Sequence, residues 1–326
     1  QSPVSRPGVV TGRYGTIGEV FYLENDFWPL NTTLFVSDFK GNDPLFTYFL
    51  LKIIDYKTYS GKSGVPGVNR NDLHEIVVKC PPLPEQRSIA CALSDVDVLI
   101  AALDKLIVKK RNIATATMQQ LLTGKKRLPG FSQGVGYKQT EVGVIPEDWD
   151  VFSIGDLFDI SAGGDLVKSE YSEIQDDMYP YPIYANSVAN GGLYGFSSVK
   201  KYEGQCITVT ARGTLGVACF RADPFVAIGR LLVLVPNREL NGLMISRVIN
   251  YRIEFANEST GVPQLTAPQI AKYLLATPPV TEQRAIAQVL SDMDAEIAAL
   301  EGRRDKTKAI KQGMMQELLT GRTRLV

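Results

Sequence analysis

The feature that most constrains this chain is an internal repeat within its 326 residues. The segment Glu85-Gln-Arg-Ser-Ile-Ala-Cys-Ala-Leu-Ser-Asp-Val-Asp returns later as Glu282-Gln-Arg-Ala-Ile-Ala-Gln-Val-Leu-Ser-Asp-Met-Asp. The match continues without a gap to Leu128 in the first copy and Leu325 in the second, and many of its positions are identical. A repeat of this length predicts that one structural unit is used twice.

Fainter matches upstream indicate that each copy is a variable globular segment followed by a helical one. Gly15-Thr-Ile-Gly18 matches Gly213-Thr-Leu-Gly216, and Gly64-Val-Pro66 matches Gly261-Val-Pro263. Because the second copy begins near Gly136, we expect roughly sixty residues to be missing from the front of the first, and we interpret the chain as a fragment or as a sequence from which a stretch was dropped. The predicted domains are a first globular domain at 1–80, a helix and linker at 81–135, a second globular domain at 136–279 and a second helix at 280–326.

The repeated segments predict two long helices. Residues 85–123 contain no proline or glycine, and their apolar side chains recur in steps of three and four, as in a coiled-coil seam. At ~1.5 Å per residue each helix would be roughly 58 Å long, and a helix of that length with a narrow apolar stripe needs a partner. We expect the two helices to pack as an antiparallel coiled coil, with the copies related by a pseudo-twofold axis, although a plain pair of bundle helices remains an alternative. The predicted seam consists of Ile89, Leu93, Val96, Ile100, Leu103 and Ile107 in the first copy, and Ile286, Leu290, Met293, Ile297 and Leu300 in the second.

Polar residues in the later part of each helix predict that the seam loosens there. These residues are Lys110 and Thr117 in the first copy, and Arg304, Thr307 and Lys311 in the second.

Composition excludes several classes of protein. Lys and Arg together number 35, as do Asp and Glu, so net charge gives no argument for a nucleic-acid or membrane partner. Four cysteines without a C-x-x-C pair exclude a disulfide scaffold and a zinc ribbon, and His74 is the sole histidine. No run of apolar residues is long enough to span a membrane. These features predict a cytoplasmic protein of a reducing compartment, with no metal site.

The sequence resembles the specificity subunits of type I restriction–modification enzymes. The resemblance lies in Pro81-Pro-Leu-Pro-Glu-Gln-Arg-Ser-Ile-Ala and its sequel Met118-Gln-Gln-Leu-Leu-Thr-Gly-Lys-Lys-Arg-Leu-Pro-Gly, and in the opening phrase Lys138-Gln-Thr-Glu-Val-Gly-Val-Ile-Pro-Glu-Asp-Trp149. It covers essentially the whole chain. It implies an α+β fold with two target-recognition domains of mixed α/β structure, each of which reads half of a split site in double-stranded DNA.

The resemblance also implies the partners of the chain. The two helices would set the spacing between the half-sites and dock two methyltransferase subunits, and nuclease/translocase subunits would join the same assembly. The chain itself would have no catalytic residues, and S-adenosylmethionine, ATP and Mg²⁺ would be bound by the partner subunits.

Residues that contact DNA are expected among basic, amide and aromatic side chains on loops of the two globular domains. Arg and Lys pair with guanine edges and phosphates, and Asn pairs with adenine. The candidates are Arg13, Tyr14, Lys62, Asn69 and Arg70 in the first domain, and Lys168, Tyr184, Asn186, Lys200, Lys201, Arg212 and Arg230 in the second.

A run of basic residues between Lys105 and Arg127 contains no acidic residue. We interpret it either as a solvated helix face or as a surface for phosphates or partner subunits.

Two other functions remain open from the residues alone. The chain could be a helical adaptor whose paired domains bind protein rather than DNA, and salt-sensitive binding to duplex DNA would distinguish the two. The chain could also be a nuclease or methyltransferase itself, which activity without partners would show. The fragment Asp223-Pro-Phe225 resembles part of an adenine methyltransferase signature, but it lacks one proline, there is no glycine-rich cofactor loop, and the sequence contains no cluster of catalytic residues.

Overall fold

The computed structural model describes residues 3–59, 67–131, 136–255 and 264–325. The chain forms two compact units: unit 1 comprises residues 1–109 and 297–326, and unit 2 comprises residues 110–296. Each unit contains one globular segment, the first part of the long helix that follows it and the last part of the other long helix. The domain boundaries drawn from the sequence, which keep each helix whole, remain predictions.

Unit 1 contains a three-stranded antiparallel sheet in the order β2-β1-β3, followed by helices. Its strands are β1 (Gly8–Gly12), β2 (Val20–Leu23) and β3 (Thr33–Phe35). Its helices are α1 (Pro44–Lys52), α2 (Arg70–His74) and the first part of α3 (Leu83–Leu121), with a short 3-10 helix at Tyr56–Tyr59.

Unit 2 contains most of the strands of the described chain. Its strands are β4 (Tyr137–Thr140), β5 (Gly143–Pro146), β6 (Asp150–Ser153), β7 (Phe158–Ala162), β8 (Tyr171–Ser172), β9 (Tyr181–Tyr184), β10 (Leu193–Ser197), β11 (Cys206–Val209), β12 (Ala218–Arg221), β13 (Val226–Ala227), β14 (Leu232–Pro236) and β15 (Leu274–Thr277). Its helices are α4 (Ile154–Leu157), α5 (Gly242–Arg252), α6 (Ala267–Ile270) and the first part of α7 (Val280–Leu318), with 3-10 helices at Lys168–Glu170 and Ala189–Gly192.

Two four-stranded sheets form the framework of unit 2, in the orders β12-β11-β14-β7 and β13-β9-β10-β8. Strands β15 and β6 form a separate pair, and β4 and β5 form a hairpin. Alternate apolar side chains of β11 and β14 are fully buried in one large core. The same core contains Trp149 and apolar side chains of α4 and α5, so it joins the sheet that contains β11 and β14 to these helices.

The globular segments of the two units share the same central strands. In unit 1, β1 pairs with β2 and with β3, and in unit 2 β11 pairs with β12 and with β14 in the corresponding register. Helix α1 corresponds to α5, because each begins after an Asp or Asn side chain that caps its first turn. The repeat seen in the sequence is thus a repeat of structure.

A buried glutamine makes the same contacts in both copies. In unit 1 the Gln86 side chain accepts a hydrogen bond from the Asp43 N–H at 2.9 Å and donates to the Pro81 carbonyl oxygen at 2.9 Å. In unit 2 the Gln283 side chain accepts from the Asn241 N–H at 2.8 Å and donates to the Pro278 carbonyl oxygen at 2.9 Å. This side chain joins the start of each long helix to the start of the helix that caps the sheet.

The two long helices each contain 39 residues and pack in antiparallel fashion, as predicted. In unit 1, Ile89 and Leu93 near the start of α3 are buried in one cluster with Leu318 and Leu319 at the end of α7. In unit 2, Ile286 and Leu290 near the start of α7 are buried in the same core as Leu121 and Leu122 at the end of α3. The start of each helix therefore contacts the end of the other.

The remaining seam positions are buried or half-buried. Leu103 and Ile107 are 4% and 2% exposed, so the apolar stripe of α3 continues well beyond its first turns. The half-buried positions are Val96, Ile100, Met293, Ile297 and Leu300.

Ion pairs occupy the part of the seam that the sequence predicted to be loose. In unit 1, Lys311 contacts Asp97 at 2.6 Å, and its side chain is only 12% exposed. Arg304 lies 3.5 Å from Asp104 in unit 1, and Lys110 lies 2.6 Å from Glu296 in unit 2. The three basic residues among the polar seam positions, Lys110, Arg304 and Lys311, therefore contact acidic residues of the opposite helix, so charge pairs link the helices where apolar side chains are lacking.

Candidate nucleic-acid interface

Four loops of unit 2 meet at the carboxyl ends of their strands. The N–H of Gly229 donates to the Gly164 carbonyl oxygen at 2.9 Å, and the N–H of Ile228 donates to the Tyr184 carbonyl oxygen at 2.9 Å. These bonds join loops that are far apart in sequence. We call the set the strand-end cluster, and it consists of Gly163–Gly164 after β7, Ala185–Asn186 after β9, Ala211–Arg212 after β11 and Ile228–Arg230 after β13.

Asn186 holds two of these loops together. Its Nδ2 donates to the Arg212 carbonyl oxygen at 2.8 Å, and its Oδ1 accepts from the Ala211 N–H at 2.6 Å. Both ends of the amide are therefore engaged within the protein. The contacts of Asn186 support a role in positioning the cluster, whereas the predicted contact with adenine would require these bonds to break.

Three predicted cations lie at the strand-end cluster. Arg212 and Arg230 are exposed, and Arg212 donates to the Gln264 side chain at 3.3 Å. Lys201 is exposed and its side chain extends to Gly164. The Lys201 Nζ lies 3.4 Å from the position that a Cβ atom would occupy on Gly164. Their positive charges and free N–H groups suit phosphates and guanine edges.

Arg230 is held in an unusual backbone conformation. Its φ is +67° and that of Gly229 is +65°, so both residues are left-handed in the turn between β13 and β14. A left-handed conformation costs a non-glycine residue roughly 1–2 kcal/mol. A glycine would fit this turn better, so the stability of the turn does not explain the arginine.

Tyr184 forms a cation–π contact with Arg221, which was not among the candidates predicted from the sequence. The Arg221 guanidinium lies 3.6 Å from the centre of the Tyr184 ring, and it donates to the Thr208 hydroxyl at 2.9 Å and to the Gly191 carbonyl oxygen at 2.7 Å. Arg221 thus ties the 3-10 turn Ala189–Gly192 to the sheet. Its sequence context on a strand gave no signal of this role, because the contact depends on a tyrosine far away in the chain.

The other two candidates of unit 2 lie apart from these contacts. Lys200 is exposed and forms an ion pair with Glu203 at 2.7 Å, which raises the pKa of Lys200 through a hydrogen bond and charge attraction. Lys168 is exposed on the 3-10 helix Lys168–Glu170.

The candidates of unit 1 surround the corresponding strand end. Tyr14 forms a bridge with Gly67, as Arg212 does with Gln264 in unit 2, and the Arg13 guanidinium lies 5.2 Å from the Tyr14 ring centre. The Arg13 carbonyl oxygen accepts from the Val68 N–H at 3.0 Å, which brings the start of α2 close to this loop.

Two more candidates of unit 1 lie at the start of α2. The Asn69 side chain caps the helix by accepting from the Asn71 N–H at 3.0 Å, and Arg70 is exposed in its first turn. The structure therefore brings together Arg13, Tyr14, Asn69 and Arg70. Lys62, the remaining candidate, lies outside the described residues.

The last residue of the basic run between Lys105 and Arg127 forms a buried ion pair. The Arg127 side chain is 3% exposed and donates to Glu282 at 2.9 and 2.6 Å and to Asp148 at 2.9 and 2.8 Å. The Trp149 Nε1 also donates to Glu282, at 3.0 Å. Hydrogen bonding to Glu282 raises the pKa of Arg127. We call Arg127, Asp148, Trp149 and Glu282 the Arg127 clasp. Because Arg127 is buried in these contacts, this arginine of the basic run stabilises the fold and is not exposed to a phosphate or a partner subunit.

The described residues contain neither a cluster of metal-ligating side chains nor a membrane-spanning helix. In the described ranges no three side chains of His, Cys, Asp or Glu come together as a metal site would require. Among the helices described, none has both the length and the apolar character needed to cross a membrane.

Comparison with known sequences identifies a family. The sequence profile of the type I restriction modification DNA specificity domain matches residues 6–139 and again residues 146–309. The type I restriction enzyme MjaVIII specificity subunit of Methanocaldococcus jannaschii is 24% identical over an alignment of 333 positions, and the alignment covers 94% of this chain and 77% of that protein.

Solved structures share the fold. The S subunit of a type I restriction–modification system from M. genitalium aligns with a TM-score of 0.67 at 16% identity, over 98% of this chain and 84% of that one. A chain from a structural study of complex assembly and conformational transition of the type I R-M system aligns with a TM-score of 0.59 at 16% identity, over 98% and 83% of the two chains. The expected mixed α/β domains on two long helices are thus confirmed.

Proposed function

The chain belongs to the family of type I restriction–modification DNA specificity subunits, and from this premise we propose how it acts. It binds a bipartite target in double-stranded DNA through two recognition domains, one in each unit. It docks two methyltransferase subunits, and through them the nuclease/translocase subunits. It is a non-catalytic subunit of a cytoplasmic assembly that methylates adenine, and the partner subunits bind S-adenosylmethionine, ATP and Mg²⁺.

The observation that carries the proposal is the structural repeat. The same three strands, the same capped helix and the same buried glutamine occur in both units. Corresponding loops follow β1 and β11, and they present different side chains: Tyr14 in unit 1 and Arg212 in unit 2. Two similar frameworks with different loop residues suit two half-sites of different sequence.

The long helices support the spacing part of the proposal. Each has 39 residues, and apolar contacts and ion pairs fix their register along the seam. In DNA-binding proteins, half-site separation mirrors the separation of the reading elements. A pair of helices of fixed register would therefore fix the number of base pairs between the half-sites.

Coexpression tests the proposal as a whole. The full chain is expressed with a methyltransferase subunit of the same system in a host without adenine methylation, and the modified positions are mapped by sequencing genomic DNA. We expect a stable complex and methylated adenines in two half-sites with one fixed spacer. Absence of a complex together with salt-insensitive or undetectable binding to duplex DNA would contradict the proposal.

A substitution at Arg230 tests the strand-end cluster. Arg230→Gly removes the cation and also relieves its left-handed backbone, so the fold should be retained or slightly stabilised. We expect the mutant complex to lose selectivity at one base pair of a single half-site by about 1–3 kcal/mol, measured as relative methylation rates of variant sites. Lys200→Ala is the matched control, because Lys200 is exposed but already paired with Glu203. Equal effects of the two substitutions, or an effect at both half-sites, would exclude the cluster as a base-reading surface.

A further inference from the structure

Arg221 links the two four-stranded sheets of unit 2. It is the last residue of β12, and its Nε donates to the Thr208 hydroxyl of the neighbouring strand β11 at 2.9 Å. Its guanidinium lies over the ring of Tyr184, which belongs to β9 of the other sheet, and its Nη2 donates to the Gly191 carbonyl oxygen at 2.7 Å. These three contacts fix the position and the direction of the guanidinium.

The positive charge of Arg221 has no acidic partner in the described part of the chain. Both of its hydrogen-bond acceptors, on Thr208 and Gly191, are neutral, and the ring of Tyr184 carries no net charge. Arg127, by contrast, is buried against two carboxylates. Arg221 is half-buried, and removal of a charge from water costs free energy unless an opposite charge compensates it. A purely structural link therefore does not explain why this side chain is a cation.

The guanidinium of Arg221 also has unused donors. Of its five N–H groups, the described contacts engage one on Nε and one on Nη2. The remaining N–H groups lie in the same plane, which is the arrangement that binds two oxygen atoms of a phosphate. An uncompensated charge and free donors on one immobilised group indicate an anionic ligand.

The turn Ala189–Gly192 leaves space for such a ligand beside Arg221. Asn190, Gly191 and Gly192 are all left-handed, with φ of +48°, +60° and +84°. Gly191 is exposed, and a Cβ atom added to it would meet no atom of the described chain within 4 Å. A main chain without side-chain cover lets a ligand approach closely.

The turn adjoins the strand-end cluster. The Ala185 N–H donates to the Gly192 carbonyl oxygen at 2.8 Å, so the end of the turn is bonded to the cluster loop after β9. The next residue, Asn186, holds the loop Ala211–Arg212. An anion bound by Arg221 would therefore lie beside the cations that we expect to contact bases.

We propose that Arg221 and the turn Ala189–Gly192 bind one phosphate of the DNA backbone next to the half-site of unit 2. The proposal rests on the proposed function, because it takes duplex DNA as the ligand. Phosphate contacts fix the register of a protein on the duplex, whereas contacts with base edges provide the sequence preference. Arg221 thus positions unit 2 on the DNA, and the strand-end cluster reads the bases.

The salt dependence of DNA binding tests this role. The complex of the full chain with its methyltransferase subunit is titrated at several salt concentrations with a duplex that carries the site mapped by coexpression. For Arg221→Met we expect the slope of log affinity against log salt concentration to be smaller by about 0.9, because one fewer counterion is released. The methylated sequence should be unchanged.

Arg221→Lys separates the charge of Arg221 from its structural contacts. Both substitutions remove the Nε donor to Thr208, but lysine retains the positive charge. We expect the slope for Arg221→Lys to be close to that of the wild type. If Arg221→Met does not fold, the neutral variant Arg221→Gln, which can still donate a hydrogen bond, replaces it in the comparison.

Arg238→Met is the matched control. The Arg238 guanidinium also lies over an aromatic ring, that of Phe152, at 4.6 Å from the ring centre. It follows the end of β14, however, whereas the strand-end cluster precedes the start of that strand. This variant loses the same charge and the same type of contact, and its slope should equal that of the wild type.

Neutral methylphosphonates, introduced one at a time into the duplex, locate the contact. At one phosphate beside a single half-site, the replacement should weaken wild-type binding by about tenfold and leave binding of Arg221→Met unchanged. If every replacement affects the two proteins equally, the proposal is wrong.

The remaining outcomes separate this proposal from the proposed function. Equal slopes for Arg221→Met and Arg221→Lys would reduce Arg221 to a structural link, and an altered base preference of Arg221→Met would make it a base-reading residue; either result overturns the proposal. If the wild type binds DNA in a salt-sensitive manner and Arg221→Met has the same slope, this proposal alone fails. If wild-type binding is undetectable or insensitive to salt, the proposed function fails with it.

Discussion

At the scale of single residues, the repeat places identical side chains in different environments. Arg127 and Arg324 are equivalent, and each forms a bidentate pair with the glutamate that starts the other long helix. The Arg127 side chain is 3% exposed, whereas that of Arg324 is 61% exposed. The difference arises because Asp148 and Trp149 cover the first pair.

This contrast predicts unequal effects on stability. Arg127→Ala leaves the carboxylate of Glu282 buried, with the Trp149 Nε1 as its remaining partner among the described residues, so unit 2 should lose about 3–5 kcal/mol of unfolding free energy. Urea unfolding followed by tryptophan fluorescence measures the loss, in a Trp28→Phe background so that the signal comes from Trp149. Arg324→Ala is the control and should change stability less, because the Arg324 side chain is 61% exposed and water reaches this side of its pair with the largely buried Glu85. Similar losses of unfolding free energy for both variants would show that the burial of the Arg127–Glu282 pair by Asp148 and Trp149 does not increase its contribution to stability.

The pair of Arg324 and Glu85 also predicts a dependence on pH. A hydrogen bond from Arg324 lowers the pKa of Glu85 below its ordinary value of 4.5. A lowered folded-state pKa contributes stability that is complete above the unfolded-state pKa and is lost as pH falls through the folded-state pKa. The difference in melting temperature between the wild type and Arg324→Gln should therefore be constant near neutrality and shrink below about pH 4.5. A difference that grows on acidification would contradict this assignment.

At the scale of elements, the seam determines how the long helices pair. Leu93 of α3 is fully buried, and Leu99 on the same helix is 40% exposed. Both are leucines in the unbroken part of α3, so helix propensity is the same for both and only packing differs.

The two leucines predict a direct test of the seam. Leu93→Ala should destabilise unit 1 by about 2–5 kcal/mol, because it removes buried methyl groups and leaves a cavity. Leu99→Ala should change stability by less than about 1 kcal/mol, since much of that side chain is already in water. Thermal unfolding of the two variants checks the prediction. A larger loss of stability for Leu99→Ala than for Leu93→Ala would show that the seam lies on a different face of α3.

At the scale of the whole molecule, each unit is completed by a segment from the opposite part of the chain. Leu318 and Leu319 at the end of α7 belong to the core that holds α1 and the start of α3. Leu121 and Leu122 at the end of α3 belong to the core of unit 2. The two halves of the sequence are therefore not independent folding units.

This exchange of helix ends predicts the effect of a truncation. Deletion of residues 297–326 removes Leu318 and Leu319 from unit 1 and leaves the core of unit 2 intact. Amide hydrogen exchange should become fast in α1 and at Ile89 and Leu93, and remain slow in β11 and β14. Fast exchange throughout both units, or in neither, would show that the units do not divide at this boundary.

Local sequence patterns were enough to predict the two long helices of this protein and the way they pair. An ungapped repeat and a heptad pattern predicted two equal helices that pack in antiparallel fashion, and helix-terminating Gly124 and Gly321 mark their ends. Such features are local or come from comparing the two copies, so they can be read without tertiary contacts. The resemblance to the family also came from contiguous motifs.

The partners of the polar side chains became apparent in the folded structure and not in the sequence. Arg127 belongs to a basic run in sequence, but a glutamate 155 positions away buries it. Asn186 resembles a base-reading amide, yet a loop 25 positions away engages both ends of that amide. The physical reason is that periodicity reports which face of an element is buried, whereas the partner of a polar group depends on how distant elements meet.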